Sequence, residues 1–256
     1  MKVLITGASS GIGRDMAKVL SKSYDELVLV ARSEERLKQI QEEIESHSKA
    51  KVKIVIMDVS SEDNCQKLYA ENKDVDLLIN NAGFGDCGDF TQTSLEKDIN
   101  MIQTNIMAVH ILTKLYLKDM KANNHGQILN VASIAGFMPG PLMATYYATK
   151  NYVVRLSEAI HEELRREKSK VKISILCPGP VDSNFNQVAN VSFSLKSLNS
   201  MDVAEYAISH LNRFYIVPGF PIRMARVFSR FVPSLSLAKM VYGVQKSKIV
   251  ENNEKR

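Results

Sequence analysis

Tyr146 and Lys150 are four residues apart, so on a helix they occupy one face. Thirteen residues before Tyr146, Ser133 follows the apolar run Gln127–Ala132, which has strand length. A phenol, an ammonium and a hydroxyl brought together can hold an oxygen atom and exchange a proton with it. A Tyr-x-x-x-Lys pair alone also fits one core residue and one surface residue. The serine sharpens it, because ligands bind at the carboxyl ends of parallel strands. A second candidate is Thr6-Gly-Ala-Ser-Ser-Gly-Ile-Gly13. Glycine has no Cβ, so such a backbone turns tightly and approaches a pyrophosphate at a helix N-terminus. The spacing is Gly-x-x-x-Gly-x-Gly, and by itself a plain loop explains it equally well.

The elements that must carry these groups alternate along the chain. Val3–Thr6, Glu26–Ala31, Val52–Met57, Val75–Asn80, Gln127–Ala132 and Val171–Cys177 are continuous apolar runs, as expected of parallel strands covered on both faces. Helix-period runs lie between them at Gly11–Ser21, Glu34–Ser46, Glu62–Ala70, Leu95–Lys121 and Tyr146–Lys168. Ser33 before Glu34 and Glu35, and Ser61 before Glu62 and Asp63, are N-cap signals with acidic first turns. The alternation predicts an α/β fold, a single Rossmann-like doubly wound parallel sheet flanked by helices. Residues 1–218 read as one catalytic domain with a loop-like lid at about 183–200, and 219–256 as a C-terminal helical extension.

This placement sets the glycine turn between the first strand and the first helix, where a dinucleotide phosphate binds. The second strand ends Leu29-Val-Ala-Arg32, with no acid to take the adenosine ribose hydroxyls of NAD. Arg32 offers a planar fork for the extra phosphate of NADP, with Ser9 or Ser10 as further donors, so NADP(H) is favoured over NAD(H). Arg14 reads better as a surface helix residue. Asp58, after the third strand, can accept from the adenine amino group, and Asn80-Asn-Ala-Gly83 ends the fourth strand beside the same cleft.

With these residues in order, the chain resembles the short-chain dehydrogenases/reductases, in their classical branch. The resemblance rests on Thr6–Gly13, Asp58, Asn80–Gly83, Asn105, Ser133, Tyr146 with Lys150, and Pro178-Gly-Pro-Val181, and covers most of residues 1–183. It implies an oxidoreductase interconverting a ketone or aldehyde and an alcohol by hydride transfer. It also implies catalytic roles for Asn105, Ser133, Tyr146 and Lys150. Asn105 matches the family residue that bends its helix and supports a water chain to the lysine. Cofactor contacts carry over to Gly7, Ser9, Ser10, Gly11, Ile12, Gly13, Arg32, Asp58, Val59, Asn81, Ala82, Gly83, Tyr146, Lys150, Pro178, Gly179, Val181 and Ser183. The family usually has threonine where Ser183 stands, and serine keeps the hydroxyl. A homodimer or homotetramer, formed through the helices at Leu95–Lys121 and Tyr146–Lys168, is implied as well.

Physical chemistry agrees with these roles. A free tyrosine, with a pKa of about 10, is a poor base near neutrality, and bringing it to about 7 takes about 4 kcal/mol of phenolate stabilisation. Lys150 and an oxidised nicotinamide are the expected sources, with Ser133 holding the substrate oxygen. Tyr147 is a rival on sequence alone, but only Tyr146 stands four before Lys150. Phe137, Met138, Leu142 and Met143, with Phe185 and Val188 in the lid, fit either ordinary packing or an apolar pocket mouth. The latter suits a steroid-like or fatty-acyl carbonyl.

Composition excludes several classes. Within 256 residues, three scattered cysteines (Cys65, Cys87, Cys177) rule against a disulfide framework, and Cys87 reads as a plain free thiol. Five dispersed histidines give no pair at metal-ligand spacing, so no metal site is expected. The first strand begins at residue 2, leaving no room for a targeting peptide, and a cytoplasmic location is the expectation. The longest charge-free stretch, Gly126–Thr149, is broken by Gly136, Pro139, Gly140 and Pro141 and does not read as a membrane span. The net charge of +5 is a property of the tail: from Gly219 on, eight Lys/Arg against two Glu give +6, leaving −1 for the rest. No nucleic-acid partner follows from that distribution. Pro221–Val232 reads as a helix with Arg223, Arg226 and Arg230 together beside Met224, Val227, Phe228 and Phe231, and an apolar stretch Leu235–Val244 follows. Both pack on the body, or they cover the substrate site with a basic rim giving weak peripheral membrane contact. The alternative class is a nucleotide-binding or membrane-surface protein of minor catalytic activity on the same fold.

Overall fold

Strands whose residues are buried on both faces build the centre of the molecule. A computed structural model describes residues 1–182 and 197–254, with side chains placed up to residue 246. The expected lid falls mostly outside these residues, as do Ser183, Phe185 and Val188. The chain runs β1 (Lys2–Thr6), α1 (Gly11–Leu20), β2 (Glu26–Ala31), α2 (Glu34–His47), β3 (Lys51–Ile56), α3 (Glu62–Glu71), β4 (Leu77–Asn80) and α4 (Leu95–Ile102). A π-helical turn at Gln103–Ala108 leads into α5 (Val109–Ala122), β5 (Gln127–Val131), a short turn of helix at Ile134–Phe137, α6 (Ala144–Arg166) and β6 (Lys172–Leu176). Then follow β7 (Val181–Asp182), β8 (Leu198–Asn199), α7 (Ser200–Ser209), β9 (Tyr215–Ile216), α8 (Phe220–Phe228) and α9 (Ser234–Glu254).

Seven parallel strands pair in the order β3-β2-β1-β4-β5-β6-β9, and β7 pairs with β8 as a separate ribbon. Alternation along each strand divides the core. Val3, Ile5, Leu27, Leu29, Leu77 and Ile79 face α1, α2 and α7 through Met16, Leu20, Leu37, Ile40 and Val203. Leu4, Val28, Val30 and Leu78 face α3 and α5 through Leu68, Leu112 and Tyr116. The strand order reverses between β1 and β4, and the crevice at their carboxyl ends is the binding position of such sheets.

The expected α/β sheet is present, with two differences of detail. The helix expected over Leu95–Lys121 is continuous in sequence but contains the π-turn, which widens one turn around Asn105. Residues 198–200, assigned to the lid, instead form β8 and begin α7. There Asn199 caps the helix by accepting from Met201 N, and Ser200 donates to the buried Asp15 of α1.

Candidate active site

Serine hydroxyls close the N-termini of three helices. The hydroxyls of Ser33, Ser61 and Ser94 each accept a backbone N–H of α2, α3 and α4, whose first turns carry acidic residues. Helix α1 does neither: Ser10 makes no capping bond and no acid sits in its first turn. Its positive end is left facing a cavity of about 1700 Å³ at the sheet's carboxyl edge, lined there by Gly7, Ser9, Ser10, Gly11 and Ile12. Asn81 locks the turn, its Nδ2 donating to Thr6 O and Gly7 O at 3.0 Å each. Gly7 takes φ +66°, and a Cβ there would meet Ala82 Cα at 2.8 Å. Gly13 does not line the cavity. It lies behind it, where a Cβ would sit 2.4 Å from Asn81 Nδ2.

At the next stretch of wall stand Arg32, Ser33, Arg36, Asp58 and Val59, with Asn81, Ala82 and Gly83 opposite. Arg32 is 73% exposed and pairs with Asp58 at 3.6 Å. Asp58 also accepts from Ser60 N at 2.9 Å, and these two interactions hold its carboxyl below the usual carboxylate range against partial burial. Asp58 is thus a partner of Arg32 as well as a cavity wall. Arg14 pairs with Asp15 at 2.7 Å and faces away. Asn80 turns under the sheet, where Nδ2 donates to Thr113 Oγ1 at 3.0 Å and Asn130 Oδ1 at 2.9 Å.

Ser133, Tyr146 and Lys150 all line the cavity beyond this wall. Ser133 Oγ accepts from Ala135 N at 3.2 Å, and its hydroxyl partly offsets the effect of burial on the Tyr146 phenol. Lys150 Nζ donates to Val131 O at 2.9 Å and sits 5.9 Å from the Tyr146 ring centre. The expected lowering of the phenol's pKa is absent in the protein alone: burial pushes Tyr146 well above the ordinary tyrosine range. Burial also pulls Lys150 down to about 8. A low-dielectric site disfavours charge on both groups, and Ser133 opposes that only in part.

Tyr147 lies in the same cavity, its hydroxyl accepting from Gln245 Nε2 of α9 at 2.7 Å. Asn105 is fully buried and does not line the cavity. Its Oδ1 accepts from Phe84 N at 3.1 Å, and its Nδ2 donates to Phe84 O at 2.9 Å and Thr149 Oγ1 at 3.1 Å. It positions other groups and does not touch the reacting space. Pro178, Gly179 and Val181 line the wall after β6.

A cradle of backbone amides followed by a Ser–Tyr–Lys set on one cavity suits a dinucleotide and an oxygen-bearing substrate, and the volume exceeds the roughly 300–1000 Å³ of a site for one small molecule. Residues 1–192 match the short chain dehydrogenase family. The chain is a short-chain dehydrogenase/reductase. As such it is an oxidoreductase interconverting alcohols and carbonyl compounds with a nicotinamide dinucleotide.

An uncharacterized oxidoreductase of Staphylococcus epidermidis is 31% identical over 218 residues, covering 82% of this dehydrogenase and 92% of its relative. Human very-long-chain 3-oxoacyl-CoA reductase is 34% identical over 172 residues, covering 63% of this chain and 54% of that one. Mouse 17-beta-hydroxysteroid dehydrogenase type 3 is 34% identical over 192 residues, covering 73% and 62%. Among solved structures, a short-chain dehydrogenase from Sphingobium yanoikuyae in complex with NADPH superposes with a TM-score of 0.81 at 26% identity, covering 90% of this chain and 92% of that one. One from Burkholderia phymatum in complex with NAD gives 0.78 at 27% identity, covering 90% and 91%.

The remaining wall of this dehydrogenase comes from its tail. Ile222, Ala225 and Phe228 of α8 and Leu237, Val241, Val244 and Gln245 of α9 line the cavity with Met138 and Met143. Phe137 and Leu142 do not line it. Phe137 packs in the core beside Tyr215 and the guanidinium of Arg226, which lies 3.5 Å over the Tyr215 ring. Arg226 therefore faces inward, apart from the basic rim expected for it, while Arg223 and Arg230 are exposed. Sequence reasoning missed Arg36 and Gln245. Arg36 was legible as a second cation one helical turn after Arg32. Among the described residues no helix is long and apolar enough to cross a membrane.

Proposed function

We propose that the dehydrogenase is an NADPH-dependent reductase of apolar ketones or aldehydes, with Tyr146 as the proton donor. The observation that carries this reading is that Ser133, Tyr146 and Lys150, all buried, stand together on the wall of one cavity. Ser133 Oγ holds the substrate oxygen, and Tyr146 delivers its proton to that atom. Because burial raises Tyr146, the phenol carries its proton throughout the neutral range, the state a donor needs. The Lys150 ammonium compensates the phenolate left behind. Bound NADPH supplies the hydride that completes the reduction.

The residues fit that cofactor. The open end of α1 takes the pyrophosphate; Ser9, Arg32 and Arg36 offer donors to a ribose phosphate; no acid ends β2. The two solved relatives, one with NADPH and one with NAD, leave that preference to these residues. Apolar walls of Met138, Met143, Ile222, Leu237 and Val241 favour a steroid-like or fatty-acyl carbonyl compound. Steady-state reduction and NADPH titration of Tyr146→Phe test the assignment. Turnover should fall about a hundredfold or more with NADPH binding kept. Retention of more than about a tenth of the activity would overturn it. Tyr147→Phe should be mild on the same substrates.

A second reading concerns the tail's outer face. Phe220, Met224, Val227, Phe231 and Leu235 are exposed beside Arg223 and Arg230, which favours weak, salt-sensitive contact with anionic membrane surfaces. A two-fold assembly through α4, α5 and α6 is favoured by the exposed Met107, in the π-turn between α4 and α5, and Tyr152 of α6.

A further inference from the structure

The proton-transfer reading leaves Tyr147 and Gln245 without a part. The Tyr147 ring stands edge-on to that of Tyr146, with centres 6.1 Å apart, so its hydroxyl belongs to the same chamber as the reacting groups. Gln245 reaches it from α9, a helix about a hundred residues away in sequence, and is only 2% exposed. Its Nε2 is spent on Tyr147, but its Oε1 is buried with no hydrogen-bond partner among the described residues. The surroundings are largely apolar: Met101, Met143 and Val241 share one buried cluster with Tyr147, with Cys87 packed against it.

An amide oxygen buried and unpaired costs about 1–3 kcal/mol. Nothing in the helix requires that cost, since Val241, one turn earlier on α9, fills the same wall with an apolar side chain. An unmet acceptor in a chamber built to hold a second molecule is resolved when that molecule brings a donor. The chamber then reads as two-ended. At Ser133 and Tyr146 it offers hydroxyls to a carbonyl oxygen; at the other end Tyr147 and Gln245 set a polar pair in an apolar wall.

We propose that Tyr147 and Gln245 form a second, non-reacting anchor in the substrate chamber, and that it takes a hydroxyl carried by an apolar carbonyl compound away from its reacting carbon. The preferred substrates are therefore hydroxyketones of hydrophobic skeleton. This rests on the reductase reading above and narrows its substrate class.

The test uses two matched pairs of ketones, 4-hydroxycyclohexanone with 4-methylcyclohexanone, and 4-(4-hydroxyphenyl)cyclohexanone with 4-(4-methylphenyl)cyclohexanone. The full-length enzyme should prefer the hydroxylated member of at least one pair about tenfold in kcat/KM. Gln245→Leu should bring that ratio close to one, and Tyr147→Phe should lower it in the same direction. Calorimetric titration of the same pairs into NADPH-loaded Tyr146→Phe protein reads the anchor without turnover, and the same preference is expected there. A binding preference with no turnover of any ketone by the wild type would count against the reductase reading and for the anchor. Equal binding of both members in both pairs, or a Gln245→Leu protein that loses both members equally, would overturn the anchor and leave the pair as a tie between α6 and α9. If Gln245→Leu does not fold, the Tyr147→Phe ratio decides.

Discussion

Asn105 Nδ2 donates to Thr149 Oγ1 at 3.1 Å, and Thr149 in turn donates to Tyr146 O at 2.7 Å. One side chain of the π-turn thus ties the segment after β4 to the helix that carries Tyr146 and Lys150. Replacing it with leucine leaves Phe84 N and Phe84 O without their partners. Asn105→Leu should cost about 2 kcal/mol of stability and lower kcat more than it changes KM. Thermal unfolding beside steady-state kinetics checks both. Unchanged kcat at a lowered midpoint would reduce Asn105 to a purely structural residue.

Lys150 fixes the pH dependence. Burial pulls it down to about 8, so the ammonium is present below that pH and lost above it. Without it nothing compensates the phenolate that Tyr146 becomes on donating its proton. For reduction, log kcat/KM should be level near neutrality and fall above a pKa of about 8, and Lys150→Met should lower the plateau and remove that limb. A wild-type profile level to about pH 9.5 would show that the lysine's charge does not limit the reaction.

How much of this was legible in the chain follows from burial. Strands such as Leu27–Val30 lie under helices on both faces, so each is a continuous apolar run that stands out without alternation. β9 has two residues, Tyr215 and Ile216, too few for any run to mark it. The π-turn was invisible to periodicity, because one extra residue in a turn barely disturbs an apolar stripe that resumes at Val109 and Leu112. Tyr146 and Lys150 were marked by their spacing only in company with Ser133, and their shifted pKa values depend on desolvation that no spacing reports. Gln245 was hidden for a different reason. It follows the apolar stretch Leu235–Val244 directly and precedes Lys246, so it reads as the start of a solvated end, yet the helix turns it inward.

Cofactor choice should follow Arg32 and Arg36. Both line the cavity beside Asp58 and Val59, and the described ion pair of Asp58 is with the first of them. Arg32→Asp places a carboxylate where a ribose phosphate would lie and should cut the ratio of kcat/KM for NADPH over NADH at least about tenfold. Arg36→Ala should cut it less, since Arg32 remains. Specificity constants for both cofactors in the three proteins check this, and a wild type that prefers NADH would overturn it.

The tail is fastened lightly and walls the chamber, a combination that separates binding from folding. Helix α8 has no buried residue, and among the side chains described on α9 only Leu237, Val241 and Gln245 are buried. Two apolar side chains of that kind contribute about 3–6 kcal/mol, to which half-buried Ile222 and the Arg226 stack on Tyr215 add, still little against a core of two full sheet faces. Ending the chain after Gly219 should therefore leave a folded body with NADPH affinity intact. The same cut removes the wall made by Ile222, Leu237, Val241 and Val244, so KM should rise for 4-phenylcyclohexanone more than for cyclohexanone. It also removes Arg223 and Arg230 together with the exposed Met224, Val227 and Phe231. The intact protein should float with phosphatidylserine vesicles at low salt, release as salt is raised, and ignore phosphatidylcholine vesicles, while the shortened protein ignores both. A shortened protein with unchanged KM for both ketones would show that the tail is no part of the substrate wall, and an intact protein that ignores phosphatidylserine at low salt would remove the membrane contact.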